Sequence, residues 1–370
     1  MRLLLCGGGT AGHINPAIAV AEELKANQPN SKILFIGREG GSENSLISGA
    51  GFEFRTLKIQ GLKHSLSPSN IKRAINAIKS VESASKIIKN FDPDVILGTG
   101  GYVCWPVIIA GRKMGIPTAI HESNITPGLT TKLLAKKCNV VFLNSETTKE
   151  HLSRRVKTVT VGNPLRRKFG KLSRHDARKK LKIDENELLI LSFGGSIGAQ
   201  KMNEVILEVI ENYSSKDKNI RHIHAVGKRY YEEIKSEKKK YDGCEILPFI
   251  DDMPTVMRAS DIVICRCGAM TLSEICEVGV ASILIPSPNV TANHQYRNGR
   301  YLEQIGGAML IEEKNLNTDI LISAIDKLKN DKNGRKTRAK TLKSLSTPNS
   351  AKMILDELFL QENGRKRAVF

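Results

Sequence analysis

Short apolar runs alternate with longer amphipathic stretches along the whole chain. Leu3–Cys6, Ile33–Ile36, Val95–Leu97, Thr118–Ile120 and Val140–Leu143 are brief and fully apolar or nearly so, which predicts buried strands. Between them, stretches such as Pro16–Ala26 and Ile71–Lys89 repeat apolar positions at helical spacing. Strand–helix alternation of this kind predicts parallel sheets covered on both faces. The pattern then restarts with Leu188–Phe193, His222–Val226, Cys244–Leu247, Ile262–Cys265 and Ser282–Ile285. The chain therefore reads as two α/β, doubly wound, Rossmann-like halves. Their joint falls near Val161–Pro164, where Gly162 and Pro164 end a strand before the basic stretch Arg166–Lys182. This predicts domains at 1–163 and 164–345, followed at 346–370 by a basic tail with a helix-like stretch over Ala351–Leu360.

Each half opens with a strand that runs into glycines and then a helix. The first such loop is Gly7-Gly-Gly-Thr10-Ala11-Gly12-His13. Glycines let the backbone turn sharply and approach a ligand, and the helix N-terminus offers free N–H groups to an anion. The loop has GxGxxG spacing, but a dinucleotide site also needs an acid at the end of the second strand. Gly37 and Arg38 stand there and Glu39 comes late, which argues against a dehydrogenase. The second loop, Gly194-Gly-Ser196-Ile-Gly198-Ala199, adds a hydroxyl donor suited to a diphosphate. The plainer reading of either loop is a tight turn. Two of them, at the carboxyl ends of strands where open parallel sheets bind ligands, favour a ligand in a cleft between the halves.

A third cluster, Arg266-Cys267-Gly268-Ala269-Met270-Thr271-Leu272-Ser273-Glu274, again joins a strand to a helix. Thr271 and Glu274 have capping-box separation, so Glu274 either caps its own helix or offers two oxygens to the hydroxyls of a ribose. Asn289–Asn298 is rich in amides around His294 and Gln295; it reads either as a polar loop or as a reader of sugar hydroxyls.

Composition narrows the class. The 370 residues are 40% hydrophobic and 26% charged, a globular rather than a disordered balance. Lys and Arg number 57 against 38 Asp and Glu, a net charge of +19, which predicts attraction to something anionic. Aromatics are only 5%, and no basic-aromatic motif or recognition helix is visible, so nucleic acid is not expected as a partner. Seven cysteines without a CxxC pair indicate neither a disulfide framework nor a zinc knuckle, and fit a reducing cytosol. No run approaches the roughly 20 apolar residues of a membrane span.

Taken in order, the motifs resemble the MurG family of peptidoglycan glycosyltransferases. They are GGGTAGHINPAIA at 7–19, DPDVILGTGGYV at 92–103, IPTAIHESNITPGL at 116–129, VGNPLR at 161–166, GGSIGAQKMN at 194–203, FIDDM at 249–253, DIVICRCGAMTLSE at 261–274 and HQYRN at 294–298. The resemblance implies a GT-B fold, two Rossmann-like domains facing a cleft. It implies transfer of N-acetylglucosamine from UDP-GlcNAc to the 4-hydroxyl of a lipid-linked muramoyl-pentapeptide, with inversion. Carried over by position, Thr10, Ala11, Gly12, Asn124, Arg166 and Ser196 contact the donor, Ser196 at its diphosphate. Ile250 takes uracil through its backbone; Ala269, Met270, Thr271, Leu272, Ser273 and Glu274 hold uridine, with Glu274 on the ribose; Gln295 meets the GlcNAc hydroxyls. Tyr102, His121 and Glu122 fall on the acceptor side. Cys267 stands where Ser or Ala is usual, Ser123 where Gln is common, and Trp105 where Gly is common.

The leaving UDP builds negative charge that loop amides, a helix N-terminus and Ser196 are suited to stabilise. No DxD pair ends a candidate strand, so a reaction without metal or other cofactor is expected. The attacking hydroxyl needs a proton acceptor. His13 is the first candidate, its bland alternative being a residue that positions its loop; His121 and Glu122 are the substitutes. Segment 55–90 carries Arg55, Lys58, Lys63, Lys72, Arg73, Lys79, Lys86 and Lys89 against Glu82 alone, beside Ile71, Ala74, Ile75, Ile78 and Val81 at helical spacing. This predicts peripheral attachment to an anionic membrane surface, the cytoplasmic face of the inner membrane, unless the apolar face simply packs on the sheet. The competing functions are a GT-B transferase with another lipid acceptor, differing around 61–67 and 101–129, a nucleic-acid binder, and a sugar-nucleotide sensor without turnover.

Overall fold

A computed structural model describes residues 1–41, 43–59, 69–170, 172–195, 198–236, 241–290 and 293–368. The chain forms two compact units, Met1–Arg167 with Thr347–Phe370, and Lys168–Ser346.

In the first unit the order is β1 (Arg2–Cys6), α1 (Ala11–Asn27), β2 (Lys32–Arg38), α2 (Glu43–Gly49), β3 (Glu53–Leu57), α3 (Ser69–Phe91), β4 (Val95–Gly98), α4 (Cys104–Lys113), β5 (Thr118–Glu122), α5 (Leu129–Leu134), β6 (Val140–Leu143) and β7 (Thr158–Thr160). Its sheet runs β3-β2-β1-β4-β5-β6-β7, all pairs parallel. Alternate side chains of β1 feed opposite layers. Leu3 and Leu5 pack with Ala17, Ile18 and Leu24 of α1, whereas Leu4 and Cys6 pack with Val107 and Ile108 of α4. A strand covered on both faces reads as an unbroken apolar run. The edge strands β3 and β7 lack that run; β3 buries Leu57 alone, and the sequence pattern passed over both.

The second unit contains α6 (Arg174–Leu181), β8 (Leu188–Phe193), α7 (Gln200–Asn212), β9 (Ile220–Ala225), α8 (Lys228–Ser236), β10 (Cys244–Leu247), α9 (Met253–Ala259), β11 (Ile262–Cys265), α10 (Ala269–Val278), β12 (Ala281–Leu284), α11 (His294–Gln304), β13 (Ala308–Leu310), α12 (Thr318–Asn330) and α13 (Lys332–Ser344). Its sheet, β10-β9-β8-β11-β12-β13, repeats the same winding. In both sheets the strand order reverses beside the first strand, between β1 and β4 and between β8 and β11. Crevices open at such switch points, at the carboxyl ends of the strands. The glycine loops after β1 and β8 and the segments after β4 and β11 all lie there.

The last helix, α14 (Ser350–Ala368), returns to the first unit. Ala351, Ile354, Leu355 and Leu358 fall at i, i+3, i+4 and i+7 and join the layer that holds α1. Lys157 Nζ meets Glu357 Oε1 at 2.5 Å. The sequence boundaries at 163 and 346 set this helix apart as a tail; in the structure the chain leaves the first unit after Arg167 and re-enters it at Thr347.

Candidate functional site

In the first unit the loops after β1 and β4 interlock through their backbones. Gly8 N donates to Gly100 O at 3.2 Å. At Gly101, with φ +86°, any Cβ would strike the Gly8 carbonyl, so glycine is required by both conformation and space. Buried Thr99 ties the assembly to α1, its Oγ1 donating to the His13 backbone oxygen at 2.6 Å. Thr10 is the N-cap of α1 but makes no side-chain capping bond, and Ala11 and Gly12 follow as its half-buried first turn. Tyr102, on the second loop, is 48% exposed.

The His13 ring is half-buried, with Nδ1 2.9 Å from Gly8 O. A carbonyl only accepts, so Nδ1 carries the proton in this contact and Nε2 keeps its lone pair. Nε2 lies beside Gly100, where a Cβ would come within 2.9 Å of it. This arrangement can accept a proton at Nε2.

His121 and Glu122 are placed differently from their expected acceptor-side role. Both are buried. His121 Nε2 donates to Gly162 O at 2.9 Å, Ser123 Oγ lies 3.5 Å from Nδ1, and burial pushes the imidazole below its usual pKa. Glu122 Oε1 accepts from Asn124 N at 2.9 Å and Nδ2 at 3.1 Å; Oε2 accepts from Gly128 N at 2.9 Å and Thr131 Oγ1 at 2.6 Å. With its oxygens occupied this way, Glu122 builds the 123–131 loop, and neither side chain is presented to a ligand here. Asn124 is half-buried on that loop. Arg166 is committed to α1, with Nε at 3.0 Å and Nη2 at 2.7 Å from Glu22 Oε1.

In the second unit Ser196 lies outside the described residues. Ile250 is buried beyond β10, at 5% exposure. The N-cap of α10 is Gly268, without a side-chain capping bond. Thr271 and Glu274 therefore sit inside the helix, which removes the capping-box reading of Glu274. Met270 and Leu272 point into the core; Ala269, Thr271, Ser273 and Glu274 are half-buried. Burial pushes the Glu274 carboxyl up to about 8, and no described residue bonds to it. Gln295, on the first turn of α11, accepts from Ser287 N at 2.9 Å through Oε1. That contact uses the amide oxygen, so Nε2 remains the donor of the side chain.

The departures from the family pattern have local reasons. Cys267 is buried where Gly299 leaves room, since a Cβ there would lie 2.8 Å from the Cys267 sulfur. Trp105 packs half-buried against the α4 layer. Sequence reasoning passed over Thr99 and Glu22. Thr99 stood inside the DPDVILGTGGYV motif with no role read for it; Glu22 had no signal beyond being one acid on a helix.

Comparison with known proteins agrees with this architecture. The glycosyltransferase family 28 N-terminal domain matches residues 3–143 and its C-terminal domain residues 189–354. A relative from Acetivibrio thermocellus is 42% identical over 96% of this chain and 97% of its own. One from Bacillus subtilis is 36% identical over 97% and 99%. Both are named UDP-N-acetylglucosamine–N-acetylmuramyl-(pentapeptide) pyrophosphoryl-undecaprenol N-acetylglucosamine transferase. The crystal structure of Acinetobacter baumannii MurG superposes with a TM-score of 0.74 at 27% identity, covering 96% of this chain and 99% of that one. A UDP-GlcNAc 2-epimerase from Neisseria meningitidis, bound to UDP-GlcNAc, shares the fold alone, with a TM-score of 0.66 at 17% identity over 97% and 100%. With both domains matched in order and the relatives aligned nearly end to end, the chain belongs to glycosyltransferase family 28, among its MurG members.

Proposed function

We propose that this chain transfers N-acetylglucosamine from UDP-GlcNAc to the 4-hydroxyl of a muramoyl-pentapeptide linked to undecaprenyl diphosphate, inverting the anomeric centre. The observation that carries the chemical step is the His13 ring, held by Gly8 so that Nε2 is the free base. In the step, the acceptor oxygen bonds to the anomeric carbon as that carbon's bond to the β-phosphate oxygen breaks. The hydroxyl proton passes to His13 Nε2, and the electron pair leaves with UDP. An imidazole suits this work because its ordinary pKa lies near neutrality. Thr10, Ala11 and Gly12 bring the first turn of α1 to the reacting groups, and Tyr102 offers its hydroxyl on the acceptor side. His121 and Glu122 act indirectly, by shaping the loop that carries Asn124.

The second unit holds the donor. Glu274, desolvated and without a described partner, accepts hydrogen bonds from the two ribose hydroxyls. The first turn of α10 presents backbone N–H groups, Ser196 serves the diphosphate, Ile250 meets uracil through its backbone, and Gln295 Nε2 donates to a GlcNAc hydroxyl. Arg166 acts through Glu22, fixing the segment that leaves the first unit. The chemistry proceeds without a divalent ion. Release of UDP from UDP-GlcNAc, measured with and without the lipid-linked acceptor and in EDTA, tests this reading. Acceptor-dependent release in EDTA is expected. Acceptor-independent loss of UDP-GlcNAc would point to an epimerase or hydrolase, and tight binding without turnover to a sensor.

Attachment to the cytoplasmic face of the membrane belongs to the same reading. Among the described residues no helix is long and apolar enough to cross a membrane. Residues 60–68 of the basic segment, with Lys63, lie outside the described residues, as do the side chains of 69–78, including Ile71, Lys72, Arg73, Ala74, Ile75 and Ile78. Val81 and Ala84 of α3 are buried in the α4 layer. On α5, Leu129 and Leu133 are 52% and 51% exposed beside exposed Lys132, Lys136 and Lys137, and no Asp or Glu occurs from 123 to 145. Exposed leucines ringed by lysines suit an anionic lipid surface, and nucleic acid is not a partner in this reading.

A further inference from the structure

Glu43, the first residue of α2, is an acid at 1% exposure in the first unit. Its Oε1 accepts from Arg38 N at 2.9 Å, while its Oε2 is buried without a partner. Three glycines on three different segments leave the space it fills. A Cβ on Gly8 would lie 2.6 Å from Oε1, one on Gly37 2.9 Å from Glu43 Cγ, and one on Gly41 would collide with the carboxylate. The same Cβ on Gly8 would lie 3.4 Å from Val103 Cγ1. A buried acid with one donor and one orphaned oxygen lowers stability; a leucine would fill the same space but leave Arg38 N without its acceptor. That one hydrogen bond accounts for Oε1, and the contact with the glycine loop accounts for where the carboxylate lies.

We infer that Glu43 is a positioning residue of the transfer site: its carboxylate, anchored on Arg38 N, wedges the Gly8 peptide into the orientation whose carbonyl holds His13 Nδ1. This rests on the reading of His13 as the proton acceptor, and Glu43 itself touches no substrate. The contact is one of shape and of one accepted hydrogen bond. Glu43→Gln keeps both, and since Oε2 has no donor, an amide there breaks no bond. Glu43→Asp keeps the charge but withdraws the carboxylate from Gly8 by one methylene.

The test uses the full chain labelled with ¹⁵N-histidine. Imidazole nitrogen shifts, assigned to His13 by difference with His13→Gln, report which ring nitrogen carries the proton; steady-state kinetics run alongside. In the wild type and in Glu43→Gln, His13 should show the Nδ1–H tautomer and kcat should agree within a few fold. In Glu43→Asp, His13 should become a tautomer mixture and kcat should fall about tenfold or more, with the KM for UDP-GlcNAc held within about twofold, as expected when only a reacting group is misplaced. An unchanged His13 tautomer in a folded Glu43→Asp protein would overturn the inference, and so would an equal loss in Glu43→Gln. If the tautomer shifts while His13→Gln remains fully active, the positioning stands and the base assignment falls.

Discussion

The Nδ1 of His13 lies 2.9 Å from the backbone oxygen of Gly8, and this contact decides which nitrogen of the ring is basic. Gly8 is held from a second side as well, where its N–H donates to Gly100 O. The proposed proton acceptor is thus oriented by the backbone of two glycine loops that the first sheet brings together at its switch point, and a histidine carried on a freely moving loop would lose that orientation.

Gly100 should be as sensitive as a contact residue. Its φ is +116°, and a Cβ would sit 2.5 Å from His13 Cδ2. Gly100→Ala is expected to lower kcat about 100-fold by displacing the ring while leaving UDP affinity, measured calorimetrically, within about threefold. Equal activity would show that the ring position is unimportant.

With the proposed ribose contact, Glu274 should make donor affinity depend on pH. Burial raises its free-state pKa to about 8, and ribose hydroxyls that donate to the carboxylate favour its charged form and lower that value. Binding therefore releases a proton below pH 8, so UDP affinity should rise with pH, by at most about tenfold per unit, and level off above about 8. Glu274→Gln should flatten the profile and weaken UDP. A wild-type profile already flat from pH 6 to 9 would exclude the ribose contact.

A second pH effect comes from the buried pair on β9. His222 Nε2 and His224 Nδ1 lie 2.8 and 2.9 Å from Ser192 Oγ, and Ser214 Oγ is 2.9 Å from His222 Nδ1. Burial, together with charge repulsion from His224 on His222, lowers them to about 3 and about 4. Unfolding exposes both to an ordinary value near 6.5, so between 6.5 and about 4 the unfolded chain binds more protons. Stability should fall as pH drops through that window, by up to about 1.4 kcal/mol per group per unit. Glu274 acts in the opposite sense, since its raised pKa removes stability as pH rises from about 4.5 to 8. Urea unfolding at pH 7 and pH 5 reads the sum of the two; His224→Gln, which removes one titrating ring, should reduce the acid-side loss, and an undiminished loss would contradict the histidine share.

Lys132, Lys136 and Lys137 should set lipid binding. Replacing all three by Gln is expected to weaken binding to anionic vesicles by about 100-fold at moderate salt, at about 1 kcal/mol per lysine, without changing turnover of a soluble acceptor analogue. Unaltered vesicle binding would place the membrane contact elsewhere on the first unit.

Much of this was legible in the residues. The doubly covered strands β1, β4, β5, β6, β8 and β11 appeared as apolar runs because both faces are buried, and the two glycine loops marked the heads of the two sheets. Edge strands β3, β7 and β13 were not legible, since few of their side chains are buried. The return of α14 was invisible because an amphipathic helix does not say which layer it joins. His13 and Glu274 stood out by type and place. What the pattern could not supply was accessibility: His121 and Glu122 have suitable chemistry but are buried, one bonded to Gly162 O and the other to its own loop, and Glu43, buried beneath Gly8, resembled any acid at a helix start.

The measurement that bears most directly on the account is acceptor-dependent UDP release by His13→Ala beside the wild type, with UDP affinity determined for both. A fall in kcat of about 100- to 10,000-fold is expected, the span of a lost general base, with UDP affinity retained. Turnover within a few fold of the wild type, in a variant that still binds UDP, would contradict it and return His13 to the role of a loop residue.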